Sequence, residues 1–337
     1  MMAAGHSVDP AGWRTALEEL LGRIAGRFGR VEVRRRARAF VLGLLAELPR
    51  TNCWTIAEHV GDPTPHGMQH LLGRAVWDAD AVRDDVRAYL TEQLGADETG
   101  DLKKGTSTVG VQRQYTGTAG KTDNAQVGVY LAYATPAGYA LIDRELYLPR
   151  SWTQDSDRCR AAGVPDHAGF ATKPALATRM IIRTLAAGVA AGWVTGDEVY
   201  GADPKLRAEL EARGLGYMLA VACDHRVRAG GDSYRADALA ARVPARAWQT
   251  VSAGRGAKGH RRYDWAFVQL DLADGGDHDG QRHLLVRRNR TTRELAFYRC
   301  WAPRPVPLAS LVRVAGSRWR IEMVFPQLTK GWVWAVG

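Results

Sequence analysis

The sequence predicts a mixed α/β protein with an all-helical amino-terminal region and a β-rich insertion late in the chain. Three observations support this prediction. Up to about residue 94, apolar residues recur every three or four positions, as they do on amphipathic helices. After Gly95 the pattern changes to strand-like alternation, followed by strands and helices in turn. From Asp224 to about Pro305, Gly- and Asp-rich turns separate short strands.

The amino-terminal region is predicted to be built from amphipathic helices. Their apolar faces cover residues 11–30, 33–48, 55–61, 64–72 and 80–94. The third and fourth helices are separated by a turn that contains Gly61 and Pro63, which is the outline of a helix-turn-helix. Such a unit places its second helix in the major groove of DNA, where Gln69, His70 and Arg74 could reach bases or phosphates. An ordinary helical corner is an equally good interpretation of this segment.

The remaining chain is divided by its pattern into three predicted parts. An antiparallel meander over 107–112, 126–132 and 139–148 is followed by a helix from Pro174, and the series then continues with 193–197 as strand, 204–213 as helix and 217–222 as strand. We therefore expect domains at 1–94, 95–223, 224–305 and 306–337, the last of which carries a helix over 309–327. This order of elements favours an α/β layer fold.

Charge and cysteine usage restrict the class of function. The chain has 46 Lys and Arg against 36 Asp and Glu, a net charge of +10, which favours a polyanionic partner such as nucleic acid. A GC-rich genome that enriches Ala, Arg and Gly would give the same charge without such a partner. The four cysteines show no C-x-x-C spacing, and neither a signal peptide nor a bilayer-spanning run is found. We expect a cytoplasmic protein with free thiols and no membrane partner.

Three separated carboxylates form a candidate metal site, namely Asp97, Asp197 and Glu322. Two-metal phosphoryl transfer needs carboxylates from separate elements to converge on a pair of divalent ions. Asp197 stands where an apolar strand meets a glycine-flanked loop, the usual place for a catalytic residue in an open α/β sheet. Oxygen ligands suit Mg²⁺ or Mn²⁺. The alternative is that these acids only cap helices or form ion pairs, as Arg318 and Glu322 would four residues apart.

Other catalytic chemistries find less support. Reserve carboxylates stand at Asp143, Glu145, Asp155, Asp157 and Asp203, where capping or solvation is the ordinary role. The histidines show no metal-ligand spacing, and no G-x-S-x-G, Walker A or dinucleotide-binding motif occurs. Hydrolase triads, P-loop NTPases and dehydrogenases are therefore disfavoured.

Five ordered blocks resemble the core of bacterial insertion-sequence transposases of the DDE superfamily. They are DETGDLKKG from Asp97, VGVQRQYTG from Val109, LYLPRSW from Leu146, WVTGDEVYG from Trp193 and RWRIE from Arg318. The resemblance implies an RNase H-like catalytic core, with the β-rich insertion lying between the second Asp and the Glu, and a helical region that helps bind element ends. It also implies Mg²⁺-dependent cleavage at those ends and strand transfer into target DNA.

The resemblance also implies roles for individual residues and partners. Carried over by position, Asp97, Asp197 and Glu322 are the catalytic metal-binding triad, and Arg318 and Lys330 contact DNA. The partners would be double-stranded DNA, as element ends and as target, and a second copy of the chain in a homodimer on DNA. A nucleoid-associated location in the cytoplasm follows.

The chain departs from the family pattern at three places. Lys330 falls eight residues after Glu322 where the family has seven, Gly95 and Ala96 replace the apolar strand that usually precedes the first Asp, and the chain ends soon after Glu322. These departures suggest a copy truncated at its carboxyl terminus. An active transposase, a catalytically impaired remnant that only binds DNA, and a basic globular protein without nucleic-acid function all remain as hypotheses.

Overall fold

A computed structural model describes residues 10–46, 48–93, 109–116, 121–135, 138–256, 259–271, 280–324 and 332–336. The chain falls into two compact units, Met1–Gln93 and Leu94–Gly337. Within the described ranges, no helix is both long and apolar enough to cross a membrane.

The first unit contains helices that bury their apolar faces against one another. They are α1 (Pro10–Ile24), α2 (Val31–Leu45), α3 (Cys53–His59), α4 (His66–Gly73) and α5 (Ala79–Gln93). One core cluster joins Ile24 and Phe28 to Val33, Ala37 and Leu71, and a second joins Ile56 and Ala57 to Met68. The helix ranges predicted from the apolar residues agree with the observed helices to within a few residues at most ends.

Helices α3 and α4 form a tight corner whose start and turn are set by sequence. Asn52 begins α3 with a capping box, in which its side chain accepts hydrogen bonds from the backbone N–H groups of Trp54 and Thr55. After α3, Gly61 adopts φ +83°, a left-handed conformation that glycine favours. At Gly43, an added Cβ would lie 2.6 Å from Cγ2 of Ile56, so glycine permits α2 to approach α3 closely.

The second unit is built on a nine-stranded sheet with helices on both faces. Its strands, in chain order, are β3 (Val127–Ala134), β4 (Tyr139–Tyr147), β5 (Trp193–Gly196), β6 (Gly216–Val221), β9 (Gln249–Gly256), β10 (Gly259–Gln269), β11 (Gln281–Arg288), β12 (Leu295–Ala302) and β13 (Trp332–Val336). Two hairpins lie outside it, β1 (Gln112–Thr116) with β2 (Lys121–Ala125), and β7 (Arg226–Ala229) with β8 (Asp232–Arg235).

Strand order in the sheet is β4-β3-β13-β5-β6-β12-β11-β10-β9. Strands β5 and β6 are parallel, with Gly196 opposite Leu219. Strand β13 lies between β3 and β5, parallel to the first and antiparallel to the second. From β6 to β9 every pairing is antiparallel, so four strands from the predicted insertion continue the same sheet.

The helices of the second unit are α6 (Arg150–Thr153), α7 (Ser156–Ala161), α8 (Lys173–Ala186), α9 (Glu198–Gly201), α10 (Pro204–Ala212), α11 (Ala236–Ala241) and α12 (Leu308–Val324). Successive side chains of β6 point to opposite faces of the sheet. Met218 and Ala220 belong to the core beneath α12, whereas the hydroxyl of Tyr217 donates to Glu211 of α10, at 2.7 Å. The sheet is therefore covered on both sides.

The mixed α/β class predicted from sequence is confirmed. The predicted strand at 107–112 is wrong in its described part, because Val109 and Gly110 form a turn and β1 begins only at Gln112. Gly110 has φ +75°, which interrupts strand geometry. Strand β13 is not among the elements predicted from the sequence. The division into domains stays a prediction.

Candidate active site

Asp197 directly follows β5 at the carboxyl edge of the parallel β5–β6 pair. Its side chain caps α9, since an oxygen of the half-buried carboxylate accepts the backbone N–H of Val199 at 2.9 Å. The capping role considered from the sequence is therefore present. It does not exclude metal binding, because a carboxylate has two oxygens and about four lone-pair directions.

Tight packing holds the loop that carries Asp197. An added Cβ at Gly201 would lie 1.8 Å from the carbonyl oxygen of Ala220, so only glycine lets α9 rest on β6. Tyr200 is fully buried beneath this loop. Burial, reinforced by the negative charge of Asp197, raises the pKa of the Tyr200 hydroxyl, which therefore stays neutral. The close contact of α9 with β6 and the buried Tyr200 thus fix the backbone around Asp197.

Lys173 supplies a positive charge beside Asp197. It is the first residue of α8, which Thr172 caps by accepting the backbone N–H of Ala175 at 3.3 Å. Burial lowers the pKa of the Lys173 ammonium, and the charge of Asp197 opposes that shift. Sequence reasoning missed this lysine, because it comes near Asp197 only in the folded chain, where α8 contacts α9, the helix that Asp197 caps.

Glu322 lies on α12, and only the backbone of that part of the helix is described. Helix α12 packs against β5, the strand that leads to Asp197, and against β6. Position 322 falls seven residues after the buried Ala315 and eleven after the buried Leu311, which puts it on the same helical face. Gly316 permits close packing of α12 against β9, since an added Cβ would lie 2.2 Å from the carbonyl oxygen of Ala253.

The remaining predicted site residues are described only in part. Asp97 and Lys330 lie outside the described residues, and so do the side chains of Arg318 and Glu322. Among the described residues, no group of three or more His, Cys, Asp or Glu side chains is arranged to hold a metal ion. Convergence of the triad therefore stays a prediction.

The reserve carboxylates are engaged in structural contacts. Asp143 and Glu145 both bind the guanidinium of Arg183, and the Asp143 side chain is fully buried. The remaining three have the ordinary roles considered for them: Asp155 caps α7, Asp203 caps α10, and Asp157 pairs with Arg160.

The three DNA-contact candidates of the first unit, Gln69, His70 and Arg74, are exposed. Gln69 lies on α4 and Arg74 is its carboxyl-terminal cap. The Arg36 side chain crosses α4 at Gly67, where an added Cβ would lie 2.4 Å from Nε. Contact of these residues with DNA stays a prediction.

Comparison with known proteins defines the class of this chain. The family model of the DDE superfamily endonucleases matches residues 23–266, which is more than half of the chain. The chain belongs to this family, as the five sequence blocks predicted. The matched range includes Asp97 and Asp197 and ends before Glu322.

A curated protein similar to this chain is, by its name, a probable insertion-sequence transposase. The chain is 32% identical over 200 residues to the probable transposase for insertion sequence element IS701 of Microchaete diplosiphon. The similar region covers 55% of this chain and 48% of that protein, so the chain spans about half the length of the curated relative it matches.

Proposed function

We propose that this chain is the transposase of an insertion sequence, which cleaves DNA at the element ends in a metal-dependent reaction and joins them to target DNA. The observation that carries the proposal is Asp197, held at the carboxyl edge of a parallel strand pair within the region that matches the family. Open α/β sheets bind their ligands at this edge.

Asp97, Asp197 and Glu322 are the residues that would hold the metal ions. All three are carboxylates, a donor set that fits Mg²⁺ or Mn²⁺ rather than a softer metal. Bound there, divalent ions would stabilise the charge on the attacking and leaving oxygens of the phosphodiester. The packing of α12 against β5 supports the pairing of Glu322 with Asp197.

Other features of the chain support the proposed core and partners. An antiparallel β3–β4 pair and a parallel β5–β6 pair in one sheet are consistent with an RNase H-like core. Exposed Gln69 and Arg74 in the first unit, together with Arg318 and Lys330, are the proposed contacts to double-stranded DNA. A homodimer on paired element ends, associated with the nucleoid, completes the proposal.

Replacement of Asp197 separates its capping role from metal binding. Asn can still accept the N–H of Val199 but lacks the charge that binds a metal, so Asp197→Asn should abolish nicking of an element-end duplex in Mg²⁺ or Mn²⁺ while leaving the fold intact. Asp197→Ala should abolish nicking and also lower the free energy of unfolding by about 1 kcal/mol through the lost cap. Nicking assays and urea unfolding measure the two effects.

Asp203→Asn is the matched control, because Asp203 caps α10 by accepting the N–H of Leu206 at 2.8 Å. This variant should nick like the wild type. Nicking by Asp197→Asn at the wild-type rate would contradict the proposal. If the wild type retains duplex DNA at physiological salt but yields no product with either ion, the alternative of a catalytically impaired, DNA-binding remnant is correct.

A further inference from the structure

A pair of aromatic rings with a cation at each end lies near Asp197. The Arg150 guanidinium carbon lies 4.3 Å from the centroid of the Phe170 ring. That ring meets Tyr147 edge-on, with centroids 6.4 Å apart. The Lys173 ammonium lies 5.5 Å from the Tyr147 centroid, and the charge of Asp197 acts on it. We call Tyr147, Arg150, Phe170 and Lys173 the cation–ring row.

Three members of the cation–ring row lie at the start or end of a helix or strand. Tyr147 is the last residue of β4, Arg150 opens α6 and Lys173 opens α8. Arg150 is exposed, whereas the two rings and Lys173 are half-buried. Because a cation above a ring face is attracted by the ring quadrupole, the rings restrict the positions of both long side chains.

The cation–ring row carries two positive charges, those of Arg150 and Lys173. Neither Arg150 nor Lys173 takes part in a salt bridge among the described residues, in contrast to Arg183 of α8, which binds Asp143 and Glu145 of β4. The charge that acts on Lys173 is that of Asp197, the proposed metal ligand. Positive charge at the edge of a cleavage site is suited to phosphate, because phosphate contacts position a nucleic acid without reading its sequence.

We propose that Arg150 and Lys173 bind backbone phosphates of the DNA strand that enters the Asp197 site. This inference rests on the function proposed above. Lys173 takes a phosphate close to the scissile bond, and Arg150 takes one further along the strand, where its planar guanidinium can donate two hydrogen bonds to one phosphate. The rings support the cations and do not stack on bases, because Arg150 and Lys173 lie over them.

The salt dependence of DNA binding tests this assignment without requiring catalysis. The full chain is titrated with a short duplex of arbitrary sequence and with the element-end duplex, in EDTA, between about 50 and 200 mM NaCl. Each lost phosphate contact lowers the slope of log Kobs against log salt by about 0.9. Arg150→Gln and Lys173→Met should each show that loss on both duplexes, while Arg150→Lys and Lys173→Arg should largely retain the wild-type slope.

Arg242→Gln is the matched control, since the exposed Arg242 at the end of α11 also lies over a ring, 4.4 Å from the centroid of Tyr234. Its slope should equal that of the wild type. An unchanged slope in Arg150→Gln and Lys173→Met would overturn the inference, and so would an equal loss in Arg242→Gln. If Lys173→Met fails to fold by thermal unfolding, the exposed Arg150→Gln decides the test.

Failure of the inference and failure of the proposed function give different results. Reduced slopes in the variants of a wild type that binds but never nicks DNA would support the phosphate contacts and contradict only the enzyme. Normal slopes in the variants of a wild type that does nick would contradict only the phosphate contacts.

Discussion

At the scale of single residues, Asp197 could be predicted from sequence and its neighbour Lys173 could not. The apolar run before Asp197 and the glycines around it mark a strand end, which is a local pattern. Lys173 lies 24 positions earlier in the sequence, and only the folding of the chain, with α8 against α9, brings it close. Contacts of this kind leave no periodic signal in the chain.

His225 is expected to make the stability of the second unit depend on pH. Burial, together with the charges of Arg207 and Arg299, lowers the pKa of the half-buried His225 to about 4. The unfolded chain therefore takes up this proton near pH 6.5, before the folded protein does. The free energy of unfolding should fall as the pH drops from about 6.5 towards 4.

Replacement His225→Gln should flatten this dependence, which urea unfolding at several pH values measures. His283, whose pKa burial also lowers, is present in both proteins and accounts for part of the remaining slope. A variant with the same loss of stability over this range as the wild type would show that His225 does not contribute.

At the scale of elements, the apolar period predicted the buried helices and strands well. Strand β6 is buried along its whole length and α8 alternates buried with exposed positions at helical spacing, so both stand out in the sequence. The hairpins β1–β2 and β7–β8 are short and polar, and β13 pairs with strands far from it in the chain. Their formation depends on partners that local patterns do not reveal.

Strand β13 is expected to stabilise the middle of the sheet, because it pairs with β3 on one side and with β5 on the other. Ending the chain at residue 331 should leave backbone groups of both strands without those partners, which is costly inside a sheet. Hydrogen exchange should then show lost amide protection in β3 and β5.

The β10–β11 pair serves as the internal control for that truncation, since it lies on the far side of β12 from β5. Its amides should keep more of their protection. Unchanged exchange in β3 and β5 after truncation would mean that β13 contributes nothing to the sheet.

At the scale of the whole molecule, the motifs predicted the family, and composition only favoured a class of partner. A net charge of +10 favours nucleic acid, and the family match confirms membership of the DDE superfamily. The sequence did not reveal that β9 to β12 extend the central sheet, because turn-rich strands look alike whether they form a separate layer or join an existing one. The resulting sheet supports the loop of Asp197 on one side and α12 on the other.

In the proposed active site, Asp197 and Glu322 meet around a divalent ion, and cleavage of the protein by bound iron tests this arrangement. Fe²⁺ in place of Mg²⁺, with ascorbate and peroxide, produces hydroxyl radicals that cut the backbone close to the ion. We expect cuts near residue 197 and within α12 near residue 322, competed by excess Mg²⁺ and absent in Asp197→Asn. Cuts at other places, or cuts that persist in Asp197→Asn, would contradict the proposed metal site.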